Sequence, residues 1–209
     1  MRERSEKKTV TALLLTAMFF VAGCAKKEAD PASVKDTLTI RRDGSVEAVI
    51  SGTFDKAYYS EAELAESVEA ELNRYNAEKG EERIRLLEHH ADQGTAGLTL
   101  LFADPADCAE YLGIDLYVGD VQGAYDAGYD PDAALIDRRN EDRVIGKNDL
   151  RDMADRRIVI CSGNYEIICP DTIDYYSFGC ELISKTRAAM PEEEEEPDNP
   201  ENYETILIY

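Results

Sequence analysis

Two adjacent histidines, five cysteines and 44 carboxylates carry most of the reactive chemistry available to this 209-residue chain. His89 and His90 fall in a run that reads as a strand, where consecutive side chains point to opposite faces, so the pair cannot readily chelate one ion. A cysteine nucleophile would need one of them as its base, with a third group to orient it, and no local signature supports that arrangement. The zinc-protease helix H-E-x-x-H, the nucleophile elbow G-x-S-x-G and the phosphate loop G-x-x-x-x-G-K-[ST] are all missing from the sequence. Paired carboxylates can hydrolyse glycosides, but among so many acids some pair always lies at a workable spacing. The densest aspartate group, Asp126, Asp130 and Asp132 with Asp137 beyond it, is the candidate site for a hard cation, which takes oxygen ligands of this kind. Its spacing departs from the calcium loop D-x-[DN]-x-[DN]-G, and a plain acidic turn is the preferred reading. No catalytic or cofactor-binding residue is assigned. Tyrosines such as Tyr117, Tyr125 and Tyr129 could line a recognition surface, because Tyr joins area to a polar tip.

A different cysteine chemistry is written at the N-terminus. Arg2, Arg4, Lys7 and Lys8 precede an apolar run from Val10 to Val21, and Val21-Ala22-Gly23-Cys24 ends it. A basic start, an apolar stretch and small residues at its end describe a secretory signal. The segment resembles the signal peptide of bacterial prolipoproteins, over residues 1–24 only. The resemblance implies that the Cys24 thiol receives a diacylglyceryl group and that Met1 to Gly23 is removed. Two or three fatty acyl chains such as palmitate would then hold the product on the extracytoplasmic face of a cell membrane, so the membrane is a partner through lipidated Cys24. The competing reading is a transmembrane anchor, which needs roughly 20 apolar residues. Val10 to Ala22 supplies thirteen positions, two of them Thr11 and Thr16. Firm anchoring takes more than one acyl chain or a basic patch, and Lys26 and Lys27 could each add about 1 kcal/mol at an anionic surface.

Loss of residues 1–23 leaves 19 Lys and Arg against 42 Asp and Glu, a formal charge of −23. Nucleic acid is not an expected partner, since phosphate binding needs a Lys/Arg stripe and none is evident. Strong acidity repels anionic lipid and holds the body of the domain off the membrane. Trp is absent, which weakens the case for sugar stacking. Cys108, Cys161, Cys169 and Cys180 remain beyond Cys24, an even number in an oxidising compartment. If Ser162-Gly163-Asn164-Tyr165 is a two-residue hairpin, Cys161 and Cys169 point to opposite faces and do not bridge. A Cys108–Cys180 bridge and four buried free thiols both stay open, with free thiols preferred.

The elements that must position these groups follow from pattern. Arg42-Asp43-Gly44-Ser45 joins two apolar runs as a tight hairpin. Ser60 and Glu63 form a capping box, Tyr59 and Leu64 a hydrophobic staple, and Leu64, Val68, Leu72 and Tyr75 one face of a helix over 61–79 capped by Gly80. Glu61, Glu63, Glu66, Glu69 and Glu71 read as its solvated face. Strands are expected at 83–89 and 95–102. A short helix starts at Asp104-Pro105 with Cys108, Tyr111 and Leu112 inward, a strand follows at 114–118, and Asp120 caps another short helix. After 133, strands at 134–136 and 143–145 and a helix near 149–154 precede four short β-rich runs between 158 and 184, which read as a terminal β-meander.

The expected organisation is therefore a signal peptide (1–23), a tether (24–36) reaching about 40 Å when extended, one α+β domain (37–187), an acidic disordered linker (188–202) and a candidate edge strand (203–209). The domain should combine antiparallel hairpins with one long helix and two or three short ones. About 150 residues suffice for a single hydrophobic core. Self-docking of the Ile206-Leu207-Ile208 run is preferred over its offer to a partner. The expected function is a membrane-anchored extracytoplasmic lipoprotein acting as a non-catalytic module that binds an unknown protein or envelope ligand. The alternatives are an envelope hydrolase using Asp or Glu, and a structural envelope component.

Overall fold

The computed structural model describes residues 35–55, 60–92, 94–131, 134–191 and 204–209. The signal segment, Cys24, most of the tether, Tyr58, Tyr59 of the staple, Asp132 and the glutamate run after Pro191 lie outside the described residues. Among those described, the strands are β1 (Thr37–Ile40), β2 (Val46–Thr53), β3 (Ile84–Asp92), β4 (Thr95–Phe102), β5 (Leu116–Asp120), β6 (Leu135–Asp137), β7 (Asn140–Ile145), β8 (Arg157–Ser162), β9 (Glu166–Ile168), β10 (Tyr175–Ser177), β11 (Glu181–Ser184), β12 (Arg187–Ala189) and β13 (Glu204–Ile208). The helices are α1 (Glu61–Lys79), α2 (Pro105–Leu112), α3 (Val121–Asp126) and α4 (Lys147–Arg151). The fold is α+β and strand-rich. Its contacts divide into two compact units, one holding Val49–Leu100 and the other Asp36–Ala48 with Leu101–Tyr209.

In the smaller unit α1 forms as its caps dictate. Ser60 Oγ accepts the Glu63 N–H, and Gly80, at φ +79°, donates its N–H to Asn76 O. Leu64 and Leu72 are buried, and Asn76 ties the helix to β3 by donating from Nδ2 to Ile84 O at 2.8 Å and accepting the Arg83 and Ile84 N–H groups. Glu71 departs from the solvated face expected of it. Only 10% of its side chain is exposed, beside Arg74, and burial raises its pKa against the opposing pull of that arginine.

The larger unit contains the strand order β5-β8-β13-β10-β6-β7, antiparallel throughout. A second set runs β11-β12-β9-β1-β2, with β1 and β9 parallel through Leu38 opposite Ile167. The β1–β2 turn follows its sequence signal: Gly44 takes φ +89°, and Asp43 Oδ1 accepts from the Ser45 N–H and hydroxyl. These bonds hold the Asp43 carboxyl below its ordinary pKa.

β13 is an interior strand, a correction to the edge expected of it. It pairs with β8 over five positions, Glu204 opposite Ser162 through Ile208 opposite Ile158, and with β10 on its other side. Ile206, Leu207 and Ile208 are all fully buried, as are Ile158 and Val159 of β8. A sheet covered on both faces needs apolar side chains on both, which is why these strands read as unbroken apolar runs without alternation. The domain boundary at 187 likewise falls short, because Ala188 and Ala189 are buried in β12.

The expected chain-order meander is not confirmed. β8 pairs with β5 and β13, whereas β9 pairs with β1 and β12, so Ser162–Tyr165 carries the chain between two sheets and closes no hairpin. Turn chemistry permits a tight reversal there, and Gly163 does take φ +98°, but long-range strand pairing decides the partners. α4 also begins earlier than the run near 149–154, at Lys147, because Asp149 accepts the Gly146 N–H at 3.2 Å and fixes the first turn.

Candidate functional site: a basic groove between two short helices

The four cysteines beyond Cys24 are free and buried. Burial pushes the Cys161 and Cys169 thiols up to about 12, with Asp115 and Asp171 adding to the effect respectively, and raises Cys108 further still. Cys180 Sγ lies 3.1 Å from Ser177 Oγ and 3.4 Å from Met190 Sδ. The Cys108, Cys161 and Cys169 thiols, held this far from the thiolate form, are poor nucleophiles. They serve as small packing residues.

His89 and His90 are exposed on β3. The His90 ring rests over Gly97 of the neighbouring strand, where a Cβ would come within 2.1 Å of its Cε1. Asp126 is exposed and accepts a 2.9 Å hydrogen bond from Gln122 Nε2. Asp130 is exposed too. Asp137 is buried as the brace of the β6–β7 turn, accepting from Arg139 N and Arg143 Nη1. Among the described residues no group of three His, Cys, Asp or Glu side chains could hold a metal ion. Asp126 and Asp137 thus have separate local partners, while Asp132 lies outside the described residues.

A concave surface of about 430 Å³ lies elsewhere, between α3 and α4, lined by Val121, Gln122, Tyr125, Lys147, Leu150, Arg151 and Ala154. Its walls are set by local rules. Asp120 caps α3 by accepting the Gly123 N–H at 2.6 Å. Tyr117 from β5 donates its hydroxyl hydrogen to Asp120 O and packs against Tyr129 with ring centroids 5.2 Å apart and the rings tilted by 44°. That hydroxyl occupies the space a Cβ on Gly123 would need, 2.4 Å away. Val121 and Gln122 donate their N–H groups to Arg156 O and Ala154 O, pinning α3 to the turn after α4. Val121 and Leu150 are fully buried and join Ile158, Ile160, Ile206 and Ile208 in the core, so the groove floor is continuous with packed sheet.

Its charge runs against that of the whole chain. Residues 138–157 hold seven Lys and Arg against five Asp and Glu, in a protein of formal charge −21. Three of those arginines converge on one carboxylate: Arg156 Nη2 at 2.8 Å, Arg139 Nη2 at 3.3 Å and Arg138 Nη2 at 3.9 Å from Asp174. Arg138 Nε also donates to Ile173 O. Lys147 and Arg151, one helical turn apart, line the groove itself, and none of its seven lining residues is a carboxylate. The sequence signal was a local reversal of charge balance over twenty residues, diluted by the acidity on either side.

The acids gather elsewhere. Glu204 has its pKa raised by burial and by Asp115 and Asp130, and Asp115 sits beside it through Ser162, whose Oγ accepts the Asp115 N–H at 3.0 Å. No protein-family model, curated protein or solved structure matches this chain.

Proposed function

We propose that the protein is a membrane-anchored extracytoplasmic lipoprotein, lipidated at Cys24, whose α+β domain acts by non-catalytic binding. The observation that carries the binding half is the groove between α3 and α4: a cavity of ligand size backed by the buried Val121 and Leu150, with two cations and no carboxylate among its lining residues. Carboxylate chemistry in that groove has no residue to perform it. The anchoring half rests on the order of basic residues, apolar run and Val21-Ala22-Gly23-Cys24.

A carboxylate hydrolase remains the second reading, favoured by the company Glu204 keeps. A carboxyl of raised pKa beside other acids is the arrangement a general acid needs. Incubation of the full chain with envelope polymers such as peptidoglycan fragments separates the two. The expected result is no turnover above background. Turnover that disappears in Glu204→Gln or Asp115→Asn would overturn the non-catalytic reading.

A further inference from the structure

We infer that the α3–α4 groove takes a small organic anion with an apolar body, its carboxylate or phosphate head between Lys147 and Arg151 and its body against the half-buried Tyr125 and Ala154. This rests on the binding reading above and names the ligand class. Side chains four apart on a helix share a face with Cβ atoms about 5–6 Å apart, the spacing at which two cations can hold one anionic head. Arg presents a planar fork that matches carboxylate or phosphate in two parallel bonds, and Lys adds a point charge. The floor supplies the rest. Val121 and Leu150 behind the groove are fully buried members of the core, so the wall that carries Tyr125 and Ala154 is fixed by packing and little ordering is needed on binding.

Charge selects against the alternatives. With an overall charge of −21, the chain repels an extended polyanion or an anionic bilayer over most of its surface. A small anion enters where the local balance is reversed, and Arg138, Arg139 and Arg156 around the single carboxylate of Asp174 extend that reversed field on the same stretch of chain. At about 430 Å³ the groove is at the lower end of ligand pockets. A short hydrocarbon or one aromatic ring suits it.

Isothermal titration of the full chain with four probes tests this: hexanoate and phenyl phosphate, which carry both halves, and hexanol and inorganic phosphate, which carry one. The two amphiphilic anions are expected to bind one to one, at least about tenfold tighter than either single-feature probe, and the tighter of them identifies the head. Arg151→Gln and Lys147→Gln should each weaken binding about fivefold or more, with Arg151→Glu abolishing it and Lys185→Gln, on the β11–β12 turn, leaving it unchanged. If Lys147→Gln fails to fold, the two Arg151 variants, at an exposed position, carry the test. Equal affinity for hexanol, no detectable binding, or binding indifferent to Arg151 would overturn the inference. Silent probes in a protein that also turns over no polymer overturn the ligand class alone, whereas bound probes with polymer turnover overturn the non-catalytic reading alone.

Discussion

A single hydroxyl fixes one wall of the groove. Tyr117 reaches across the start of α3 because Gly119 and Gly123 leave room for it, and a Cβ at either would fall within 2.4 Å of its oxygen. Gly123→Ala would ordinarily stabilise a helix by up to about 1 kcal/mol. Here the expected outcome is the reverse, a loss of about 1–3 kcal/mol by overpacking, measured as a lower denaturation midpoint. A more stable variant would show that Tyr117 has somewhere else to go. The Glu204 carboxyl makes a second residue-level prediction. Its folded-state pKa is raised by burial, with Asp115 and Asp130 adding to the rise, so the folded protein holds that proton more firmly than the unfolded chain. Stability from this group is present below its unfolded pKa and is lost as pH climbs through the raised folded value. Glu204→Gln should therefore stabilise the protein near neutrality. That gain should shrink on acidification to about pH 4 and also with added salt, which screens the two aspartates; a gain independent of pH would contradict the assignment.

At the scale of elements, the sequence was most legible where one local rule decides. The Ser60 and Gly80 caps bound α1, and Asp104 and Asp120 start α2 and α3, because a cap is settled within four residues of chain. Strand partners were not legible, since pairing is settled by residues far apart. β8 finds β13 more than forty positions away, and nothing in Ile158–Cys161 names that partner. The apolar triplet Ile206-Leu207-Ile208 did hold a readable clue: an edge strand has no need to be apolar on both faces, and an interior strand covered on both sides does. An interior β13 also changes what its removal means. Ser177 Oγ accepts the Ile206 N–H and donates to Glu204 O, and three fully buried side chains of β13 pack in the sheet. A chain ending at residue 203 is expected to lose cooperative unfolding by circular dichroism. A folded monomer after that truncation would show that the sheet closes without β13.

For the whole molecule, the central matter is how charge is distributed. The groove was not legible in the sequence because total acidity masked a basic stretch over 138–157, and because Asp126 and Asp137 of the densest aspartate group have separate surroundings in the structure. An acidic domain with a basic groove is joined to an N-terminal segment that, on the proposed function, would keep it beside a membrane. On that proposal, lipid at Cys24 would place a ligand-capturing groove within reach of an anionic surface while the acidic body is repelled from that surface. The most direct test is the intact mass of the protein extracted from the membrane fraction of a bacterial host, beside a Cys24→Ala variant. The account predicts a chain beginning at Cys24 and heavier by a diacylglyceryl group, with the variant neither lipidated nor cleaved before residue 24. An unmodified chain starting at Met1, with Cys24→Ala behaving identically, would contradict it.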